Sequence, residues 1–241
     1  IDKNVYTLYQ KQIDNKFDSN DLFIFDAIEE NKTFAEISKI YDFLILKSAK
    51  RNMTIITIGG GITQDVTGFV ASTLYRGVNW ILVPTTFLSQ TDSCIGSKTS
   101  INYQSFKNLM GTFYPPNEIY VNPEFLTTLT EEDFYSGIGE IIKFQLLKES
   151  YPKNFESIIS MVEGVKNDKS SILPTMFDTL NVKIAYMNAD EFDTGKRNLL
   201  NYGHCFGHAL ETVSKYKVPH GIAVTIGMIF SNIPIKNFHP L

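Results

Sequence analysis

The sequence predicts an α/β nucleotide-binding domain with a Rossmann-like parallel sheet, followed by an all-α domain. In the first half, short β-rich runs alternate with stretches whose apolar residues recur at helical spacing, as in a parallel sheet covered by helices. Later in the chain the strand signals fade and long helical patterns follow one another. We therefore expect an α/β domain over residues 1–128 and a helical domain over residues 129–241.

Each element of the first half has its own signal. Runs rich in β-branched and aromatic residues predict strands at residues 22–25, 53–58 and 80–83. Apolar residues at helical spacing predict helices over residues 33–49 and 65–75. The second half carries helical patterns throughout, over residues 131–148, 170–189, 197–215 and 221–230.

Composition narrows the class of protein. The net charge of −4 argues against a broad basic surface for nucleic acid, so an acidic ligand needs a local cluster of cations. Two cysteines are too few for a disulfide framework and fit a reduced, cytoplasmic setting. The apolar stretch over residues 222–230 is far shorter than the roughly 20 residues of a membrane span. We expect neither a nucleic-acid nor a membrane partner.

Histidines cluster near the end of the chain, in Asn201-Tyr-Gly-His204-Cys-Phe-Gly-His208 and at His220. His204 and His208 share one face of a predicted helix, with Cβ atoms about 5–6 Å apart. Imidazoles at this spacing can converge on a metal or a substrate, although isolated pairs of this kind are structural about as often. Arg197 and Asn201 continue the pattern, so the residues at steps of four, three and four predict one polar stripe on a single helix.

Glu140 and Lys143 form a second candidate, three residues apart on a predicted helix. A solvated surface ion pair is one interpretation of such a pair. Their neighbours are apolar, however, so the pair can also lie partly buried. A buried Glu140 together with histidines would complete a metal site with nitrogen and oxygen ligands.

A glycine turn, Gly59-Gly-Gly61-Ile-Thr-Gln64-Asp65, lies between a predicted strand and a predicted helix. Such a turn lets the backbone approach a phosphate at a helix N-terminus, at the edge of the sheet where ligands usually bind. It is not the full G-x-G-x-x-G pattern, because Gln64 replaces the third glycine, and structural turns of this kind are equally common. Thr85 and Thr86 follow the next strand, where hydroxyls cap a helix or meet a nucleotide.

Two lysines, Lys98 and Lys107, occur with Asp92 and Asn108 in the next stretch of the chain. Gly96-Ser-Lys98-Thr resembles the end of a P-loop, but the pattern G-x-x-x-x-G-K-[ST] is absent. This group suits an anionic, oxygen-rich ligand, and two solvated lysines explain it as well.

Taken together, these residues resemble the 3-dehydroquinate synthase family, a branch of the sugar-phosphate cyclases. The resemblance runs through nearly the whole chain in ordered blocks: Gly59-Gly-Gly61 with Asp65, Arg76-Gly77, Thr85-Thr86, Asp92, Lys98-Thr99, Asn102, Lys107-Asn108, Gly137 with Glu140 and Lys143, and Asn201 with His204, Gly207 and His208.

The resemblance implies a homodimeric, NAD-dependent lyase that also needs one divalent metal, zinc or cobalt. It also implies that residues 1–128 bind NAD and that residues 129–241 bind the metal and the substrate. Such an enzyme converts 3-deoxy-D-arabino-heptulosonate 7-phosphate, a phosphorylated sugar acid, to 3-dehydroquinate and phosphate in the shikimate pathway. The sequence also departs from the family pattern: Ser97 stands where a glycine is usual, and Ile222 where a glutamate follows the last ligand histidine.

The resemblance also implies residue roles. The metal ligands fall on Glu140, His204 and His220, which makes His208 a catalytic neighbour rather than a ligand. The other substrate-side residues fall on Asp92, Lys98, Asn108, Lys143, Lys183, Arg197 and Asn201, with Arg76 reaching the phosphate across a dimer. The NAD-side residues fall on Glu29, Lys32, Gly60, Gly61, Ile62, Thr63, Gln64, Asp65, Thr85, Thr86, Lys98, Lys107, Phe125, Leu126, Thr127 and Thr128.

Three alternatives stay open at this point. A cyclase that makes inosose or valiolone rings shares the fold, NAD and metal. A metal-dependent alcohol dehydrogenase of the glycerol type has a similar fold but is expected to place Asp at the first ligand. A non-catalytic protein that binds only NAD or metal is the third, because we expect the helical domain to be incomplete at its C-terminus.

Overall fold

The computed structural model describes residues 1–148 and 155–232, and the chain divides into two units, Ile1–Leu129 and Thr130–Leu241. The first unit contains a parallel sheet with strand order β1-β2-β5. Its strands are β1 (Thr54–Gly59), β2 (Asn79–Pro84) and β5 (Glu118–Ile119). The antiparallel hairpin of β3 (Lys98–Tyr103) and β4 (Phe106–Phe113) lies between β2 and β5 in the sequence.

Three helices complete the first unit: α1 (Lys3–Asp14), α2 (Phe34–Leu46) and α3 (Gly61–Thr73). The Thr33 hydroxyl caps α2 by accepting the backbone N–H of Glu36, which satisfies one of the free donors of the first turn. Apolar side chains of α2, α3 and β3 form the buried core of this unit, which includes Ile37, Val66, Phe69 and Ile101.

The second unit is helical over its described residues. Its helices are α4 (Glu131–Leu147), α5 (Phe155–Asn167), α6 (Ile172–Ala189), α7 (His204–Val213) and α8 (His220–Ser231). Thr130 caps α4, and three acidic residues in the first turn match the positive end of the helix dipole. No helix in the described parts of the chain combines the length and apolar character needed to cross a membrane.

The parallel sheet with helices and the helical second unit confirm the predicted fold class. Several predicted elements differ. Residues 22–25 do not form a strand: Phe25 joins the core and makes an isolated bridge to Asp2. The helix predicted over 65–75 begins earlier, at Gly61. The elements α1, α5 and β3–β5 had no predicted counterpart.

The helix predicted over residues 197–215 is wrong in one important respect. Residues Lys196–Asn201 form a 3₁₀ segment, and α7 begins only at His204. Gly203 separates the two with a left-handed φ of 78°, a conformation that glycine adopts without steric cost. The polar stripe therefore does not lie on one helix: Arg197 precedes the break, and both histidines follow it.

Candidate active site

Helices α7 and α8 of the second unit bring three imidazoles together. The ring centroids of His204 and His220 are 5.1 Å apart, and those of His204 and His208 are 5.3 Å apart. One ligand atom of each ring lies within 4.8 Å of those of the other two. This spacing is compatible with a single bound ion.

Glu140 joins this cluster from α4. Its side chain is fully buried, and its Oε1 lies 3.6 Å from Nε2 of His220. Lys143, one helical turn later and 2% exposed, forms an ion pair with the same carboxylate. The pair is therefore buried, and the solvated alternative is excluded. The carboxylate and the cation both lie beside the histidines.

The environment sets the charge of two of these histidines. Burial, the nearby Lys143 ammonium and His220 lower the pKa of His204 from 6.5 to about 3. Its Nδ1 donates to the carbonyl of Tyr202 over 3.2 Å, so Nε2 keeps its lone pair. For His220, burial lowers the pKa, but a hydrogen bond to Glu211 and the charge of Glu140 outweigh it, so the pKa is raised.

The donor set fits a divalent ion such as zinc or cobalt. Neutral imidazole nitrogens and a carboxylate oxygen are typical ligands of both metals. One ligand atom each of His204, His208 and His220 lies within 4.8 Å of the others, and Glu140 lies 3.6 Å from His220. His208 differs in exposure, with 58% of its side chain accessible. The choice of Glu140, His204 and His220 as the three ligands, with His208 outside the coordination sphere, stays a prediction.

Close backbone packing between α4 and α8 holds Glu140 near His220. A Cβ added to Gly221 would lie 1.8 Å from the carbonyl oxygen of Ser136, and one added to Gly139 would lie 2.1 Å from the carbonyl oxygen of Gly221. The backbone N–H of Gly221 donates to the Ser136 hydroxyl over 2.9 Å. Only hydrogen at these two positions permits this approach, so the glycines set the distance between the ligand-bearing helices.

Buried cations lie in the same unit. Lys143 on α4, Lys183 on α6 and Arg197 in the 3₁₀ segment are 2%, 7% and 5% exposed. Charged side chains are seldom buried without an anionic or polar role. Asn201 ends the 3₁₀ segment and is exposed. The second unit therefore has three buried cationic side chains, although the net charge of the whole chain is −4.

The loop before Arg197 is organised by one carboxylate. Asp190 accepts the backbone N–H groups of Thr194, Gly195 and Arg197 at 3.0, 2.7 and 3.1 Å. The guanidinium of Arg197 also donates to the carbonyl of Glu191. The start of the 3₁₀ segment, and with it the position of Arg197, therefore depends on the charge of Asp190.

We expect this loop to lose stability in acid. The N–H of Thr194, with those of Gly195 and Arg197, lowers the pKa of Asp190 from 3.8 to about 2. A depressed carboxyl pKa stabilises the fold above the unfolded value of 3.8 and loses that contribution as the pH falls through about 2. Asp190→Asn should therefore lower the melting temperature at pH 6, and the gap to wild type should close towards pH 2.

Glu191→Gln is the matched control, because it neutralises the neighbouring exposed carboxylate and keeps the carbonyl that Arg197 uses. It should melt like the wild type at each pH. A gap for Asp190→Asn that stays constant over the whole pH range would show that the charge of Asp190 contributes nothing.

In the first unit, four of the predicted NAD-side residues, Glu29, Lys32, Asp65 and Lys107, belong to one connected polar cluster. The ammonium of Lys32 donates to Oδ2 of Asp65 and Oδ1 of Asn108, both at 2.5 Å. Asn102 donates to Glu29 Oε1 over 2.8 Å and accepts the backbone N–H of Asn108 over 2.8 Å. Asn108, predicted on the substrate side, therefore lies with the predicted NAD residues. Lys107 adds an ion pair with Glu29 at 3.7 Å.

The glycine turn forms the end of β1 and the start of α3, as the sequence predicts. Gly60 is the N-cap residue, and helical geometry starts at Gly61, so Ile62 and Thr63 lie in the first turn. Gln64 is 4% exposed and exchanges hydrogen bonds with Ser93, at 2.7 Å to its carbonyl and 2.9 Å from its hydroxyl. The residue that breaks the glycine pattern thus anchors α3 to the turn that carries Asp92.

The other predicted residues of the first unit are placed as follows. The Thr86 hydroxyl accepts the N–H of Ser89, so Thr86 has the capping role, and Thr85 beside it is buried. Lys98 is exposed at the start of β3, and Arg76 is exposed on a 3₁₀ turn after α3 with a φ of 63°. Phe125, Leu126, Thr127 and Thr128 lie in the 3₁₀ segment Pro123–Thr128, where Phe125 and Thr128 contact Tyr9 of α1.

Ser100 and Glu211 belong to these clusters but were not predicted as site residues. Ser100 donates to Asp65 Oδ2 over 2.9 Å, and Glu211 accepts from His220. Each has a signal in the sequence. Ser100 lies two residues from both Lys98 and Asn102, so the three share one face of a strand. Glu211 lies three residues after His208, on the same helix face.

Comparison with known proteins places the chain in a family. The family model for the N-terminal part of 3-dehydroquinate synthase matches residues 22–136, and the model for the C-terminal part matches residues 137–237. A 3-dehydroquinate synthase of Clostridium tetani is 43% identical over 238 residues, which cover 95% of this chain and 62% of the relative.

Solved structures show the same architecture. A 2-epi-5-epi-valiolone synthase from Streptomyces hygroscopicus, with NAD+ and Zn2+ bound, superposes with a TM-score of 0.84 at 27% identity, over 95% of this chain and 66% of its own. A 2-deoxy-scyllo-inosose synthase complexed with carbaglucose-6-phosphate, NAD+ and Co2+ superposes with a TM-score of 0.79 at 28% identity, over 87% of this chain and 58% of its own. The chain spans less than two thirds of the length of these proteins. Since the two family models together match residues 22–237, the chain belongs to the 3-dehydroquinate synthase family.

Proposed function

We propose that the chain is a metal- and NAD-dependent cyclase that eliminates phosphate from 3-deoxy-D-arabino-heptulosonate 7-phosphate and forms 3-dehydroquinate. The observation that carries this proposal is the grouping, within one unit, of Glu140, His204 and His220 with buried cations. Metal ligands suit the hydroxyls of a polyol substrate, and buried cations suit its carboxylate and phosphate groups. The curated relative from Clostridium tetani has this activity by name.

The two cofactors of the proposal are those named for the solved neighbours, NAD+ with Zn2+ or with Co2+. When bound, NAD supplies a reversible hydride acceptor and the divalent ion supplies Lewis-acid polarisation of a substrate hydroxyl. Glu140, His204 and His220 would hold the ion, because their nitrogen and oxygen donors fit it and His204 is neutral at pH 7.

The first unit would hold the dinucleotide. The N-terminal turn of α3, after Gly60 and Gly61, offers backbone N–H groups to a pyrophosphate. Lys32, Glu29 and Asp65 supply a buried ammonium and carboxylate oxygens for the hydroxyls of a ribose. Both parts consist of residues that the resemblance to the family assigns to NAD.

Buried cations would bind the anionic groups of the substrate. Charge-assisted hydrogen bonds from Lys143, Lys183 and Arg197 suit a carboxylate and a phosphate, and they are about twice as strong as neutral ones. Arg197 is held in place by the Asp190 loop, so its guanidinium needs little reorganisation to bind an anion. Arg76, Asp92, Lys98, Asn108 and Asn201 complete the proposed substrate set.

His208 would transfer a proton at its Nε2 atom. It lies one helical turn after His204, and most of its side chain is exposed, so a substrate bound at the ion can reach it. A positioned histidine of this kind typically contributes a factor of about 10²–10⁴ to the rate. The homodimer, with Arg76 serving the partner's site, and a cytoplasmic location stay predictions.

A substrate panel tests the proposal. The zinc-loaded chain with NAD should release inorganic phosphate from the heptulosonate phosphate. It should release far less from glucose 6-phosphate, which lacks the carboxylate for the buried cations. Phosphate release from glucose 6-phosphate but not from the heptulosonate phosphate would favour a cyclase of the inosose type, such as the solved neighbour that binds carbaglucose-6-phosphate. Phosphate release from neither sugar would reject the proposed activity.

A further inference from the structure

Glu211 is a buried carboxylate that the proposed chemistry does not use. It lies on α7, three residues after His208, and it is 5% exposed. Removing a carboxylate from water costs several kcal/mol unless it is paired and hydrogen-bonded. The partners of Glu211 therefore explain why it lies there.

Two of the clustered histidines are among those partners. Oε1 of Glu211 lies 3.2 Å from Nδ1 of His220, and Oε2 lies 3.9 Å from Nε2 of His208. On the other side of the His220 ring, Nε2 lies 3.6 Å from Oε1 of Glu140. Each ring nitrogen of His220 thus faces a different carboxylate, one from α7 and one from α4.

A neutral imidazole carries one N–H, and its second nitrogen keeps a lone pair. Because a carboxylate only accepts hydrogen bonds, Glu211 favours the tautomer with hydrogen on Nδ1 of His220. The lone pair of Nε2 then points to the side where Glu140 lies. His204 is arranged in the same way with a neutral acceptor, since its Nδ1 donates to the carbonyl of Tyr202.

We propose that Glu211 is the positioning residue of the metal centre: its carboxylate fixes the ring and tautomer of His220 so that Nε2 binds the ion. This inference rests on the metal centre of the proposed function. It also bears on the departure at Ile222, where the family usually has a carboxylate two residues after the ligand histidine. In this chain a carboxylate from α7 supports His220 instead.

Two substitutions of Glu211 separate its hydrogen bond from its volume. Glu211→Met keeps the length of the side chain and removes the acceptor, and we expect zinc affinity to fall about 10–100-fold. Glu211→Gln keeps an amide oxygen that can accept from Nδ1, so its affinity should lie between those of Glu211→Met and wild type. Asp178→Asn is the matched control, because this carboxylate pairs with Lys148 and Gln145 and should leave zinc affinity unchanged.

Zinc affinity is measured by competition with a chromophoric chelator, and activity is not used. The tautomer is read from the ¹⁵N shifts of the His220 ring in the zinc-loaded wild type, where Nε2 should be the metal-bound nitrogen and Nδ1 should carry hydrogen. This second readout stands even if Glu211→Met fails to fold.

Zinc bound through Nδ1 of His220, or a folded Glu211→Met with wild-type zinc affinity, would overturn the inference. Failure of the proposed function is distinguishable, because a chain that binds zinc as described but releases no phosphate loses only the activity.

Discussion

His204→Ala should abolish tight zinc binding, with a loss larger than the roughly 10–100-fold typical of residues outside the coordination sphere. His204 is neutral at pH 7 because burial lowers its pKa to about 3, so its Nε2 is available to a metal without competition from protons. Without this imidazole, two of the proposed ligands are left. The metal content of the purified variant and its zinc affinity measure the effect.

His208→Ala is the matched comparison, one helical turn away on the same face of α7. We expect it to keep its zinc and to lose about 10²–10⁴-fold in rate, as for a lost proton-transfer group. Equal loss of zinc in the two variants would instead place His208 in the coordination sphere. The three-histidine cluster would then be the metal site, and the division of roles proposed above would be wrong.

Gly221→Ala should be the most destabilising single-methyl change in the described part of the second unit. Its Cβ would lie 1.8 Å from the backbone oxygen of Ser136, which cannot move without shifting α4. Overpacking typically costs about 1–3 kcal/mol, and a contact with backbone this close belongs at the upper end. A cost of about 3 kcal/mol lowers the melting temperature by roughly 6–12 °C in a chain of this size. Zinc affinity should fall as well, because His220 is the preceding residue and Glu140 lies on the displaced helix.

Gly164→Ala is the control for this substitution. Gly164 lies within α5, and a Cβ there meets the Ser171 hydroxyl at 3.7 Å, an ordinary contact. Removing a glycine from a helix interior should stabilise the fold by up to about 1 kcal/mol. If Gly221→Ala melts like the wild type and binds zinc equally well, the close approach of α4 and α8 does not position the ligands.

Much of the fold follows from local pattern. The alternation of strands and helices and the apolar periodicity of α2, α4, α6 and α8 predict those elements nearly to their ends. The hairpin was missed because most of β4 is exposed, so its apolar residues show no alternation between a buried and a solvated face. The strand predicted at residues 22–25 was wrong because apolar character alone does not distinguish a strand from a buried loop. Phe25 is apolar because it packs in the core, and it makes only an isolated bridge to Asp2.

The members of the candidate site were largely predictable from the sequence, but two features of its geometry were not. The spacing of His204 and His208 and the apolar flanks of Glu140 indicated a buried polar cluster. The break at Gly203 was not visible, because a glycine is also tolerated within a helix. The contact between Glu211 and His220 depends on how α7 packs against α8, and no local pattern encodes the distance between two helices.

Phosphate released per molecule of NAD, with absorbance at 340 nm followed in the same cuvette, tests the central claim most directly. The zinc-loaded 241-residue chain is mixed with heptulosonate phosphate and an amount of NAD far below that of the substrate. A hydride that leaves and returns in each cycle predicts many phosphates per NAD and no accumulation of NADH. NADH that accumulates in step with substrate consumption, without phosphate release, would identify a dehydrogenase and contradict the proposed cyclase.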